Sequence, residues 1–273
     1  MRSLHHVLGR IRLSTFKKFT ALLPNTRKKY GEVLALASTN REKIEKLLPD
    51  DFSWAMLYEL QAKELFILSL AALGFLDKLS QAARAGLDIN QFLMEAAIRE
   101  EENENGEFEW SGGHGGLFTE ADTIATTHAT QNSWRCLSIY GQYLNDLVKL
   151  VREGNDGADD AYFKAVNIDR TVLTCPTFAA RLARAEYFGE KKFIFRLRKA
   201  VKGKPHDSLL LHQDLRTVLQ FFHEINTISL FTLDEADLLF IKELKVYQDA
   251  GKDPARSLMR FIQRWKAEKS PAT

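Results

Sequence analysis

Apolar residues recur along most of the chain at intervals of three and four, as in Phe193, Ile194, Leu197 and Val201, or Leu215, Val218, Leu219 and Phe222. Such spacing puts them on one face of a helix turning every 3.6 residues. No segment sustains the alternation of period two, bounded by hairpin turns, that a half-buried strand requires. The one stretch open to a small ribbon or ordered loop is GEFEWSGGHGGLF, residues 106 to 118. The pattern predicts helices near residues 3 to 22, 40 to 48, 53 to 73, 76 to 85, 89 to 103 and 120 to 152. Others are expected near 159 to 167, 176 to 188, 190 to 202, 208 to 226, 233 to 248 and 254 to 268. The expected fold is therefore all-α, a multi-helix bundle of about a dozen helices with room for two helical subdomains.

Helix start signals agree with this reading. Thr39 with Glu42, Thr119 with Asp122 and Thr232 with Glu235 have capping-box spacing, in which each side chain satisfies the other residue's backbone N–H. Pro176 and Pro254 fall where first helical turns are expected, and Asp253 is a natural N-cap for the last helix. The polar stretch REGNDGADD, Arg152 to Asp160, is the better linker candidate. It would divide an N-terminal helical domain, 1–152, from a C-terminal one, 160–273. The N-terminal part would carry a Gly-rich loop at 105–116.

Composition narrows the class without naming a function. The 273 residues are 45% hydrophobic and 27% charged, ordinary for a globular protein. The two cysteines, Cys136 and Cys175, form no CxxC pair or zinc-spaced cluster, so buried thiols and a reducing cytoplasm are expected. The longest apolar stretch, Leu65 to Leu76, falls well short of the roughly 20 residues of a bilayer-crossing helix. The N-terminal segment has no continuous apolar run like that of a secretory signal. Its acid-poor, Arg-containing, amphipathic character is similar to that of a mitochondrial transit peptide.

Charge changes the picture more. The net charge of +2 hides a basic, acidic, basic order: 11 Lys/Arg against 3 Asp/Glu in residues 1 to 47, 7 against 20 in 48 to 160, and 11 against 3 in 161 to 204. Such an order fits internal pairing of acidic and basic segments, or a basic surface for nucleic acid or an acidic partner protein. The strongest candidate surface holds Arg181, Arg184, Lys191, Lys192, Arg196, Lys199 and Lys202 on two short helices joined around Gly189. With Phe193, Ile194, Leu197 and Val201 packed inward, Arg196 and Lys199 would face outward. The pair resembles a helix-turn-helix, which implies a second helix in a major groove. Arg256, Arg260 and Arg264 form a second basic stripe on the last helix, opposite Leu258, Ile262 and Trp265.

Catalytic patterns are sparse. There is no phosphate-binding loop, dinucleotide fingerprint, HExxH or GxSxG elbow. GGHGG at 112 to 116 lacks the nucleophile elbow that would make it an esterase oxyanion loop, so His114 reads as part of a loop. Glu120, Asp122 and His128 share a helix without a second matching set, so neither a metal site nor a cofactor is expected. Arg216 and His223, two turns apart on one helix face, have a spacing that resembles the Arg-x6-His motif of HEPN ribonucleases. The resemblance covers that helix alone and implies metal-independent RNA cleavage in a toxin or antiviral system. Arginine would stabilise phosphate charge and histidine would move a proton. His212 lies on the same stripe.

These features lead first to a helical binding or regulatory protein that engages nucleic acid or an acidic protein through basic helices. The second expectation is the ribonuclease. The third is a structural subunit, a homodimer or part of a larger complex, whose 18 Phe and 4 Trp partly serve interfaces.

Overall fold

A computed structural model describes residues 4–39, 54–102, 118–248 and 251–269. The described residues form fifteen α-helices and no strand, as the hydrophobic periodicity predicts. In chain order these are α1 (His5–Leu8), α2 (Leu13–Thr39), α3 (Trp54–Glu59), α4 (Ala62–Ala72), α5 (Leu76–Arg84), α6 (Ile89–Glu102), α7 (Glu120–Tyr140) and α8 (Leu144–Glu153). There follow α9 (Ala158–Ile168), α10 (Pro176–Tyr187), α11 (Lys191–Lys202), α12 (Asp207–Leu210), α13 (Gln213–Glu224), α14 (Leu233–Ala236) and α15 (Pro254–Lys269). A tight 3-10 turn occupies Arg170–Thr174, and α14 runs on into a π-helical segment, Asp237–Glu243.

The expected caps form where their chemistry places them. Thr119 N donates to Asp122 Oδ2 at 2.8 Å while Asp122 N donates to Thr119 Oγ1 at 3.2 Å, closing the box that starts α7. Thr232 and Glu235 do the same for α14, at 3.0 and 3.3 Å. Arg256 N donates to Asp253 Oδ1 at 3.1 Å, and Pro176 and Pro254 each open their helix. Thr39 is the last residue of α2, while Glu42, its expected capping-box partner, the helix over 40 to 48 and the Gly-rich loop with His114 lie outside the described residues.

The chain divides into two compact units, each built from separated segments: Met1–Lys28, Leu79–Glu107 and Leu211–Thr273 in one, Lys29–Lys78 and Phe108–Leu210 in the other. The expected boundary at 152–160 therefore falls inside the second unit. There it is the turn between α8 and α9, whose Leu147, Val148 and Val151 share a core with Ala161, Tyr162 and Ala165. A polar, Gly-containing turn between two tightly packed helices has the composition of a linker, which is why the sequence suggests one.

In the first unit, Phe222 is the centre of a ring cluster, with Phe16 at 5.4 Å, Phe231 at 4.9 Å and Phe240 at 5.7 Å. Leu4, Val7, Leu8 and Ile11 are buried in this same core, which accounts for the amphipathic N-terminal segment. Lys17 pairs with Glu243 at 2.6 Å, and Arg12 and Arg27 pair with Glu95 and Asp214.

The second unit is organised around Tyr162, fully buried, stacked on Phe178 at 4.6 Å and edge-on to Phe193 at 5.1 Å. Each such ring, fully buried, contributes about 1.5–3 kcal/mol. Beside it sits a buried polar knot. The Asp169 carboxylate accepts from Thr171 N at 2.9 Å, Thr171 Oγ1 at 2.6 Å, Asn132 Nδ2 at 3.1 Å and the Tyr58 hydroxyl. A buried carboxylate without a cationic partner is tolerable only when its lone pairs are filled in this way.

Candidate nucleic-acid interface

The α10–α11 hairpin in the second unit carries the densest basic segment of the chain. Its turn is fixed by backbone geometry. Gly189, at φ 65°, donates to Glu186 O at 3.2 Å, and Glu190 N donates to Ala185 O at 2.8 Å. These two bonds are a Schellman closure, which needs a left-handed residue after the helix. Phe178 and Ala185 of α10, and Phe193 and Leu197 of α11, are then buried in the unit's core.

Two of the expected cations are used inside the unit. Arg181 donates to both Asp159 oxygens, at 2.8 and 2.9 Å, and to Glu190, while its guanidinium lies 4.0 Å from the centre of the Phe193 ring. The hydrogen bonds to Asp159, more than any other influence, hold its pKa above the ordinary value. Arg196 pairs with Asp160 at 3.1 Å and sits over Phe163. Acidic residues at the start of α9 thus neutralise part of the basic segment, the internal pairing that the charge order allows.

The remaining cations are different. Arg184, Lys191, Lys192, Lys199 and Lys202 are exposed, as is Arg198, and none has an ion-pair partner among the described residues. Between them project three rings that sequence reasoning passed over: Tyr187 at 84% exposure, Phe188 at 68% and Phe195 at 71%. Tyr187 and Phe188 meet edge to face at 5.0 Å. Next to Phe195 is a shallow cleft whose lining includes Ala185, Gly189 and Ile194, with Glu186, Lys191 and Arg198. The signal for Phe195 is present in the sequence: two residues from inward-facing Phe193, it must fall about 200° around the helix.

No protein-family model, characterised protein or solved structure matches the chain.

The other candidates belong to the first unit. On α15, Arg260 and Arg264 are exposed and Arg256 is bound to Asp253 at 3.1 Å, while Leu258, Ile262 and Trp265 are buried opposite them. This stripe has the expected faces but no exposed ring among it.

Arg216 and His223 are both on α13, with their side chains among aromatic rings of α15. Arg216 is only 8% exposed, with its guanidinium 5.9 Å from the Phe261 ring centre, and burial pulls its pKa below the ordinary value. His223 meets Trp265 edge to face at 5.6 Å, and His212 stacks on Tyr247 at 5.3 Å. The spacing that resembles a ribonuclease motif is here part of the packing of α13 on α15. Among the described residues, no group of three His, Cys, Asp or Glu side chains is placed to hold a metal ion. Cys136 and Cys175 are buried thiols not joined in a disulfide, and burial pushes the Cys175 thiol up to about 12. No single described helix is long and apolar enough to cross a membrane.

Proposed function

We propose that the protein binds nucleic acid through the outward face of the α10–α11 hairpin. The observation that carries this reading is the set of six exposed cations, Arg184, Lys191, Lys192, Arg198, Lys199 and Lys202, left without ion partners on one short hairpin. Neighbouring Arg181 and Arg196 show that the unit can neutralise a cation where one is needed for packing. Six cations around one exposed carboxylate, Glu186, create a field that attracts a polyanion and gains from release of its counterions.

The test is fluorescence anisotropy of a labelled oligonucleotide titrated with protein from about 50 to 200 mM salt. Affinity is expected to fall steeply with salt. In a Lys191→Gln, Arg198→Gln, Lys199→Gln, Lys202→Gln variant the slope of log K against log salt should shrink by about 3, because each lost phosphate contact removes about 0.7–0.9. All four side chains are exposed, so the variant keeps the core intact. Unchanged binding in the variant, or no retention of nucleic acid at low salt, overturns the reading. Equal affinity for a polyglutamate peptide would assign the face to an acidic protein instead.

A further inference from the structure

We infer that the nucleic acid taken by this face is single-stranded, and that its unpaired bases stack on Phe195, Tyr187 and Phe188. The inference rests on the proposal that the α10–α11 hairpin binds nucleic acid. Three large rings exposed together on one hairpin give up the burial that large side chains normally find in the core. Their arrangement relative to charge is specific. At 100° per residue, Lys191, Lys192, Arg198, Lys199 and Lys202 all lie within about 60° of Phe195 around α11, with Lys191, Arg198 and Lys202 on one side and Lys192 and Lys199 on the other. The ring therefore stands in the middle of a cationic stripe, and a backbone following the cations would carry its bases past the ring.

A duplex makes no use of this arrangement. Its base faces are covered by their neighbours, and a groove presents edges to be read by hydrogen-bond donors and acceptors. An unpaired base exposes its π face, and stacking on aromatic side chains within a basic groove is how single strands are held without sequence preference. Ala185, with only a methyl group, and Gly189, with no side chain, line the cleft beside Phe195, where a flat base has room. An anionic membrane fits less well. A surface-lying helix presents a continuous apolar face, whereas the apolar face of α11, Phe193 and Leu197, is committed to the core.

The experiment compares one labelled, unstructured strand of about 12 nucleotides, a length within the range held by single-strand sites, with the same sequence as a duplex. Wild-type protein should favour the single strand by about tenfold or more. Phe195→Leu, which keeps an exposed apolar side chain and its helix, should weaken single-strand binding about tenfold while leaving the salt slope and duplex binding unchanged. A 2-aminopurine base in the strand should be quenched on binding wild type and much less on binding the variant.

Equal or tighter duplex binding overturns the stacking inference, as does a Phe195→Leu variant with unaltered affinity and quenching. In both cases the salt-sensitive nucleic-acid reading survives. Failure of the protein to bind either form overturns both, and binding only to vesicles containing phosphatidylserine would do the same.

Discussion

Tyr58 and Asp169 show how individual side chains in the second unit exchange exposure for specificity. The Tyr58 hydroxyl is fully buried, donates to the Asp169 carboxylate and accepts from Asn132 Nδ2 at 3.3 Å. Burial first, and the Asp169 charge second, raise its pKa well above 10.0. Burial likewise pushes Tyr140 and Tyr162 up to about 12 from 10.0, and Cys175 up to about 12 from 9.0. Each of these groups holds its proton more tightly when folded than when unfolded. Its contribution is intact below the unfolded pKa and is lost as pH rises through the folded one. Urea midpoints should therefore decline progressively between about pH 9 and pH 12. Tyr58→Phe leaves the buried carboxylate short of a donor and should cost about 1.5–3 kcal/mol near neutral pH. The same variant should show a shallower alkaline decline, because one of the shifted groups is gone. A Tyr58→Phe protein as stable as wild type at pH 7 would mean that this hydroxyl does not support the carboxylate. None of this knot is legible in the sequence, where Tyr58, Asn132 and Asp169 are far apart.

Elements were more legible than residues, because helices declare themselves locally. The windows at 76–85, 159–167, 176–188, 190–202 and 254–268 correspond to α5, α9, α10, α11 and α15 within a few residues. Misjudged elements are those with a break hidden inside a continuous apolar pattern. The expected helix over 120–152 is two helices because Gly141 takes φ 74° and ends α7, and that over 53–73 is interrupted where Gln61 N donates to Glu64 Oε2 at 2.8 Å and starts α4. Conversely, α2 continues through Pro24, although proline cannot donate an intrahelical hydrogen bond and its ring crowds the carbonyl four residues back. The α10–α11 turn offers a direct measure of such local control. Gly189→Ala forces an L-residue to adopt φ 65° although there is open space for its Cβ, so the loss should be conformational alone, about 1–2 kcal/mol. Gly189→Asn should lose less, since asparagine tolerates the left-handed region. Equal losses for both, measured by urea unfolding, would indicate a steric cause instead.

At the scale of the whole chain, the two cores depend on residues distant in sequence, and local pattern carries no information about that pairing. The core of the second unit joins Tyr58, Leu65 and Leu144 to Tyr162, Phe178 and Phe193, and that of the first joins Val7 and Phe16 to Phe222, Phe240 and Leu258. A cut in the 152–160 turn thus separates the two halves of both cores. Fragments 1–152 and 160–273 would each hold apolar faces whose partners are on the other fragment. Every large side chain left uncovered forfeits about 1.5–3 kcal/mol, and a whole domain has only about 5–15 kcal/mol to lose. Expressed separately, each fragment should show reduced helical circular dichroism and no cooperative urea transition, whereas the intact chain should unfold cooperatively. Fragment 160–273 retains the whole α10–α11 hairpin, yet without Tyr58, Leu65 and Leu144 its core is incomplete, so tight binding should be lost along with the fold. A cooperatively folded 160–273 fragment would instead restore a linear two-domain organisation and place the hairpin in a self-sufficient C-terminal domain.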